Sequence, residues 1–239
     1  MTRQNKARTI SATNLGYYAS SRFCPRCAWV RLHLGKLPYQ SFPGIFSSID
    51  SYNKKIVHNH FDREDAMPSW LDQLGNVAGY IEPPHWSKFR VVDEASKVTL
   101  HGTADGIFRM ADGSYTIIDY KTARYTASQE IMLLNYEVQL NAYAFIGERK
   151  ELSPVSKLAL VYMEPQTSDE TAQRPELVDD SGFSMEFDAT VVEVDLKPEE
   201  LIPPLLQRVR QIGEMEAPPN SGSGCKECDL VEALIREWV

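Results

Sequence analysis

The chain has 239 residues, is 43% hydrophobic and 24% charged, and carries a net charge of −8. That is enough chain to bury a sizeable core, and the acidic balance excludes coating of nucleic acid by bulk charge, though not a local basic channel. No run approaches the roughly 18 apolar residues of a membrane span.

Residues 1–10 are polar and expected to fray. The leading stretch MTRQNKARTISATN has no apolar segment of a secretory signal, so a cytoplasmic location is expected. Ser11 resembles a helix N-cap, and Ala28 to Leu34 has a helical pattern that stops near Gly35. Residues 38–46 are a Pro/Gly-punctuated loop. Residues 47–62, SSIDSYNKKIVHNHFD, predict a helix on which Asp50, Lys54 and His58 share a face. Residues 63–85 are mixed and broken by PSW and EPPHW. FRVVDEA, KVTLHGTADGIFRM and SYTIIDYKT predict strands, with Ala-Asp-Gly as a hairpin turn.

Residues 128–147 have helical periodicity, and KLALVYMEP is a further strand. Residues 165–183 predict a long loop or hairpin, EFDATVVEVDL a strand, and KPEELIPPLLQRVRQIGEM a helix. The linker APPNSGSG then leads into CKECDLVEALIREWV, a cysteine pair followed by a short helix. This order implies an α/β architecture, a mixed central sheet flanked by helices.

Residues i and i+2 of a strand point to one face, so Asp119 and Lys121 project together. The strand carrying Asp105 is expected to pair across the hairpin with the strand carrying Asp119, where directly facing Cβ atoms are about 5 Å apart and diagonal neighbours remain within reach. Two carboxylates that close repel unless a cation sits between them, and hard oxygen ligands select Mg²⁺ or Mn²⁺. A charge closing the apolar run YTIID would be costly without a partner.

Three elements follow in order: Gly102-Thr-Ala-Asp105, Asp119-Tyr-Lys121 and Gln139-Leu-Asn-Ala-Tyr143. They resemble the PD-(D/E)XK nuclease superfamily, in particular its RecB-like and CRISPR-adaptation-exonuclease-like branch. The resemblance covers about residues 20–145 plus the C-terminal cysteines. It implies a restriction-endonuclease-like core at about 45–215 within a single domain, 1–239. It implies that Asp105 and Asp119 are metal ligands and Lys121 the catalytic lysine. The Tyr120 carbonyl would complete the coordination, and Gln139 and Tyr143 would orient the site or contact DNA, a packing role for the Tyr143 ring remaining open. Family members add a histidine or glutamate from an early helix; here the matching position is Asp50, with His60 and His58 as rivals. His58 lies two turns from Asp50, about 12 Å by the helix rise, too far for both to touch one metal.

Cys24-Pro-Arg-Cys27 and Cys225-Lys-Glu-Cys228 are two C-x-x-C pairs, a strong metal signal. A shared metal would staple segments at about 20–37 and 220–239 together. The spacing suits Zn²⁺. The resemblance implies a 4Fe–4S cluster, though that branch holds it with one early and three late cysteines, whereas this chain has two and two. Arg22, Arg26, Arg31, Lys36, Lys54, Lys55 and Arg124, with Tyr17, Tyr18, Trp29 and Tyr125, are candidates to line a strand-binding groove.

The expectation is a Mg²⁺- or Mn²⁺-dependent deoxyribonuclease acting as an exonuclease or DNA-end processor. Its partners would be DNA and proteins of repair, recombination or phage and CRISPR-type defence, with the oligomeric state open. The rivals are a catalytically silent nucleic-acid-binding or scaffolding module of the same fold and a metal-bearing redox sensor.

Overall fold

A computed structural model describes residues 8–35, 37, 44–126 and 130–238. Residues 1–7, Lys36 and most of the loop predicted at 38–46 lie outside the described residues. In chain order the elements are β1 (Arg8–Ser11), α1 (Ala12–Gly16), α2 (Pro25–Leu34), α3 (Gly44–Glu64), a 3₁₀ turn (Ser69–Leu74), β2 (Val77–Ile81), β3 (Arg90–Asp93), β4 (Val98–His101), β5 (Gly106–Met110) and β6 (Tyr115–Lys121). Then come α4 (Glu130–Gly147), β7 (Val155–Pro165), α5 (Asp169–Ala172), a 3₁₀ turn (Pro175–Leu177), β8 (Val178–Asp179), β9 (Gly182–Phe183), β10 (Phe187–Val194), α6 (Pro198–Glu214) and α7 (Lys226–Trp238).

The central sheet has five strands in the order β10-β7-β6-β5-β2. β6 and β7 run parallel and the other pairs antiparallel, so the sheet is mixed as expected. β7 and β6 lie in the middle, and their near-continuous apolar runs reflect burial on both faces. Ile117, Leu158, Leu160 and Tyr162 join one core with Leu140, Ala144 and Phe145 of α4 and with Ile202, Leu206, Val209 and Ile212, the apolar stripe of α6. Ile118, Tyr120, Ala159 and Val161 join a second core with Val57 of α3 and with Leu71 and Leu74. Alternation along β6 therefore sends Ile117 and Asp119 toward α4, and Ile118 and Tyr120 toward α3.

Two expectations are corrected. KVTLHGTADGIFRM is not one strand but two: β4 pairs with β1 and β3 in a separate three-stranded sheet, and β5 belongs to the central one. The chain breaks at Gly102–Asp105 because a Cβ at Gly102 would lie 2.5 Å from Cε1 of Tyr143, so only glycine lets the segment pass over that ring. The fraying expected of residues 1–10 does not extend to Arg8–Ser11, which pairs in parallel with Val98–His101. Arg8 fixes this strand by donating from its guanidinium to the Gly213 carbonyl at the end of α6.

Local rules hold elsewhere. The Ser11 side chain accepts from the Asn14 amide at the start of α1. Pro25 opens α2, and Gly35 closes it at φ 86°. The segment 165–183 contains a short hairpin, β8–β9.

Candidate active site

The site forms where β6 ends, between α3 and α4. Asp105 lies just before β5, one step beyond the Gly106–Ile118 pair, and therefore opposite Asp119. Its carboxylate accepts from the Tyr120 amide at 3.0 Å and from the Lys54 ammonium at 2.8 Å. Lys54 also donates to Asp50 at 3.0 Å, one turn earlier on α3. Burial, reinforced by the Asp119 charge, pushes the Asp105 carboxyl up to about 6. Asp50 is raised as well, by burial first and then by Asp105. Burial alone would lower Lys54, but Asp105 and Asp50 hold its ammonium above the ordinary lysine range.

Asp119 is 3% exposed. Its Oδ1 accepts from Gln139 Nε2 at 3.0 Å, and its Oδ2 is ion-paired with Lys121 Nζ. Lys121 also approaches Gln139 Oε1 at 3.4 Å and lies 4.0 Å over the Tyr136 ring. Gln139 Nε2 donates a second bond, to the Tyr143 hydroxyl at 2.9 Å. The amide of Gln139 thus ties Asp119, Lys121 and Tyr143 into one network. The Tyr143 hydroxyl joins this network, and its ring packs under Gly102.

The structure brings Asp50 to this cluster and leaves the two histidines out of the network. His58 stacks on Tyr80 at 3.9 Å and pairs with Glu82 at 3.4 Å. His60 makes no contact with the carboxylates among the described residues. Lys54 was placed by sequence along a groove, but it sits inside the carboxylate cluster. The signal was its spacing, four residues after Asp50, which favours an ion pair on one helix face. Tyr136 was missed. Its signal was also helical: it lies three residues before Gln139 on α4.

The donor set suits a hard divalent cation: three carboxylates, two of them already sharing a cation in Lys54 and the third paired with the Lys121 ammonium. Their oxygens are more widely spread than the four cysteine sulfurs, which are the one group of metal-ligand side chains gathered within 4.8 Å among the described residues.

Those cysteines meet across the two ends of the chain. Cys24 and Cys27 lie at the start of α2, and Cys225 and Cys228 at the start of α7. All four are free thiols, with Cys24 and Cys228 buried. Arg26 braces the junction, donating to the Pro219 carbonyl at 3.0 Å and pairing with Glu232 on α7.

Beside the sulfurs opens a cleft lined by Tyr17, Arg22, Arg31, Asn135 and Lys226. Arg31 lies 4.4 Å over the Tyr17 ring. Asn135 precedes Tyr136, the ring beneath Lys121, so the cleft wall and the carboxylate site share α4. Other groove candidates have structural roles. Tyr18 is 4% exposed and belongs to the core. Trp29 donates to the Met215 carbonyl at 2.9 Å. Tyr125 packs on Tyr162.

A mixed sheet flanked by helices, whose central strand ends in a carboxylate and a lysine, is the architecture of a nuclease fold. The family model of the PD-(D/E)XK nuclease superfamily matches residues 48–233, and the chain belongs to that superfamily. The crystal structure of SSO0001 is 17% identical over 90% of this chain and 80% of that one, with a TM-score of 0.42. The crystal structure of Rai1 from Scheffersomyces stipitis is 12% identical over 98% of this chain and 63% of that one, with a TM-score of 0.25. No curated protein matches the chain closely enough to count as a relative. No helix among the described residues is long and apolar enough to cross a membrane.

Proposed function

We propose that the chain is a single-domain, Mg²⁺- or Mn²⁺-dependent deoxyribonuclease of the RecB-like kind, an exonuclease or DNA-end processor working in the cytoplasm. One observation carries this reading: Asp105 and Asp119 face each other at adjacent strand ends, with Lys121 paired to Asp119 and both held by Gln139. A silent binding module has no use for a half-buried lysine beside two carboxylates, because that arrangement is expensive to keep.

Asp105, Asp119 and Asp50 would hold the cation, with the Tyr120 carbonyl as a further oxygen. When bound, the cation would supply Lewis-acid stabilisation of the phosphate and a nucleophilic water. Lys121 contributes a fixed positive charge at the point where negative charge develops on the phosphoryl oxygens. Gln139 sets the orientation of Asp119 and limits the freedom of Lys121, while the Tyr136 ring supports the ammonium from below. Arg22, Arg31 and Tyr17 offer charge and stacking along the cleft to a nucleic-acid strand. None of these groups forms a helix that reads base edges, so little sequence preference is expected.

The test is cleavage of labelled linear and circular DNA, single- and double-stranded, with Mn²⁺, Mg²⁺ or EDTA, wild type beside Lys121→Ala. Metal-dependent cleavage of linear DNA that Lys121→Ala abolishes supports the reading. Folded, metal-replete protein that cleaves nothing overturns it in favour of the silent binding module.

A further inference from the structure

The sulfur cluster has dimensions that discriminate between its possible occupants. Cys24 Sγ and Cys228 Sγ are 3.6 Å apart, Cys27 and Cys225 are 3.5 Å apart, and Cys27 and Cys228 are 3.6 Å apart. All four sulfurs lie within 4.8 Å of one another. Four thiolates bound at 2.3 Å around one ion form a tetrahedron with edges of about 3.8 Å. A cubane cluster places a separate iron behind each thiolate, which spreads the sulfurs to about 6 Å. The observed shell fits one ion and is too small for the cluster.

The surrounding backbone is built to that small shell. The Gly222 amide donates to Cys24 Sγ at 3.1 Å, an N–H···S bond that favours the thiolate. A Cβ at Gly222 would lie 2.9 Å from the Phe23 carbonyl oxygen and 3.3 Å from Cys24 Cβ, so a side chain there would drive the two segments apart. Gly224 adopts φ +64°, the left-handed turn that swings Cys225 toward the other pair. Each C-x-x-C pair therefore arrives from a turn at the head of a helix, with two ligands per turn. Four thiolates around a divalent ion carry a net charge of about −2. Arg26, in the first turn of α2 between Cys24 and Cys27, supplies a neighbouring positive charge.

We propose that Cys24, Cys27, Cys225 and Cys228 bind a single tetrahedral Zn²⁺, in place of the 4Fe–4S cluster that the family resemblance implies. The ion clamps α2 to α7 and so fixes the cleft wall that carries Arg22 and Lys226. It has no part in bond cleavage, so the assignment stands or falls independently of the nuclease reading.

The experiment is metal and acid-labile sulfide analysis of the full chain purified without oxygen from iron-supplemented cells. It is paired with the absorption spectrum after refolding in Co²⁺. The expected result is about one zinc per chain, no sulfide, a colourless protein, and the visible bands of tetrahedral thiolate-bound cobalt. About four irons with matching sulfide and a brown protein would overturn the proposal, as would one iron without sulfide. Cys225→Ser should lose the zinc. Because that variant also risks misfolding, Gly222→Ala provides a second probe that keeps all four thiols: its methyl displaces the Gly222 N–H from Cys24 Sγ, so chelator removal of zinc should become about tenfold faster. An unchanged rate would count against the described shell.

Discussion

Lys54 Nζ lies 2.8 Å from Asp105 Oδ1, and the same ammonium reaches Asp50 Oδ2 at 3.0 Å. A side-chain cation thus stands between two carboxylates that the nuclease reading assigns to a divalent ion. Divalent metal is then expected to displace Lys54. Lys54→Met in EDTA leaves the carboxylates facing each other without a cation, a loss of about 1–2 kcal/mol after allowing for partial exposure. Thermal unfolding should show that deficit in EDTA and close it with Mn²⁺. An equal deficit in both conditions would mean that Lys54 holds no cation's place.

The Gln139 amide touches Asp119, Lys121 and Tyr143, which makes it a positioning residue in the nuclease reading. Gln139→Met removes those bonds at near-constant volume. Single-turnover cleavage should slow by about 10–100-fold with little change in DNA affinity. Substrate affinity falling by the same factor would place Gln139 in binding instead.

The contact between Gly102 and Tyr143 is a packing constraint that can be tested by rescue. Gly102→Ala pushes a methyl into a ring carbon 2.5 Å away, and overpacking of this kind costs about 1–3 kcal/mol. Adding Tyr143→Leu should recover part of the loss in urea unfolding, because the smaller side chain vacates the space. Strictly additive losses would show that the two residues do not share that space.

His101 supplies a pH dependence away from the metal sites. Burial, and then the Arg90 charge on the paired strand, lower its pKa below the model-compound value of 6.5. The unfolded chain therefore takes up this proton first as pH falls. The stability His101 contributes is complete above about pH 6.5 and drains away below it. His101→Gln should flatten the decline in melting temperature between about pH 7 and pH 5 relative to wild type. Parallel curves for the two proteins would refute a neutral, half-buried histidine.

Much of the site could be read from local periodicity. Asp119 and Lys121 share a face because a strand repeats every two residues, and Gln139 and Tyr143 share one because a helix returns after four. Both patterns survive folding because β6 and α4 are regular and packed on each other. The upstream element was harder. Asp50 and the two histidines are carried by the same helix, and nothing local says which turn of α3 faces the sheet. That was decided when Val57 and Asn53 became buried and Tyr80 stacked on His58.

The sequence by itself determined the α/β class, the two ends of the cysteine staple and the carboxylate–lysine strand, since each depends on spacing within one element. Only the tertiary structure decided that Gly102–Asp105 is a crossing between two sheets, that Lys54 lies among the carboxylates, and that the sulfurs are spaced for one ion. These are distances between segments tens to hundreds of residues apart. They arise when strands pair, helices dock and side chains compete for the same space, and no repeat along the chain encodes them.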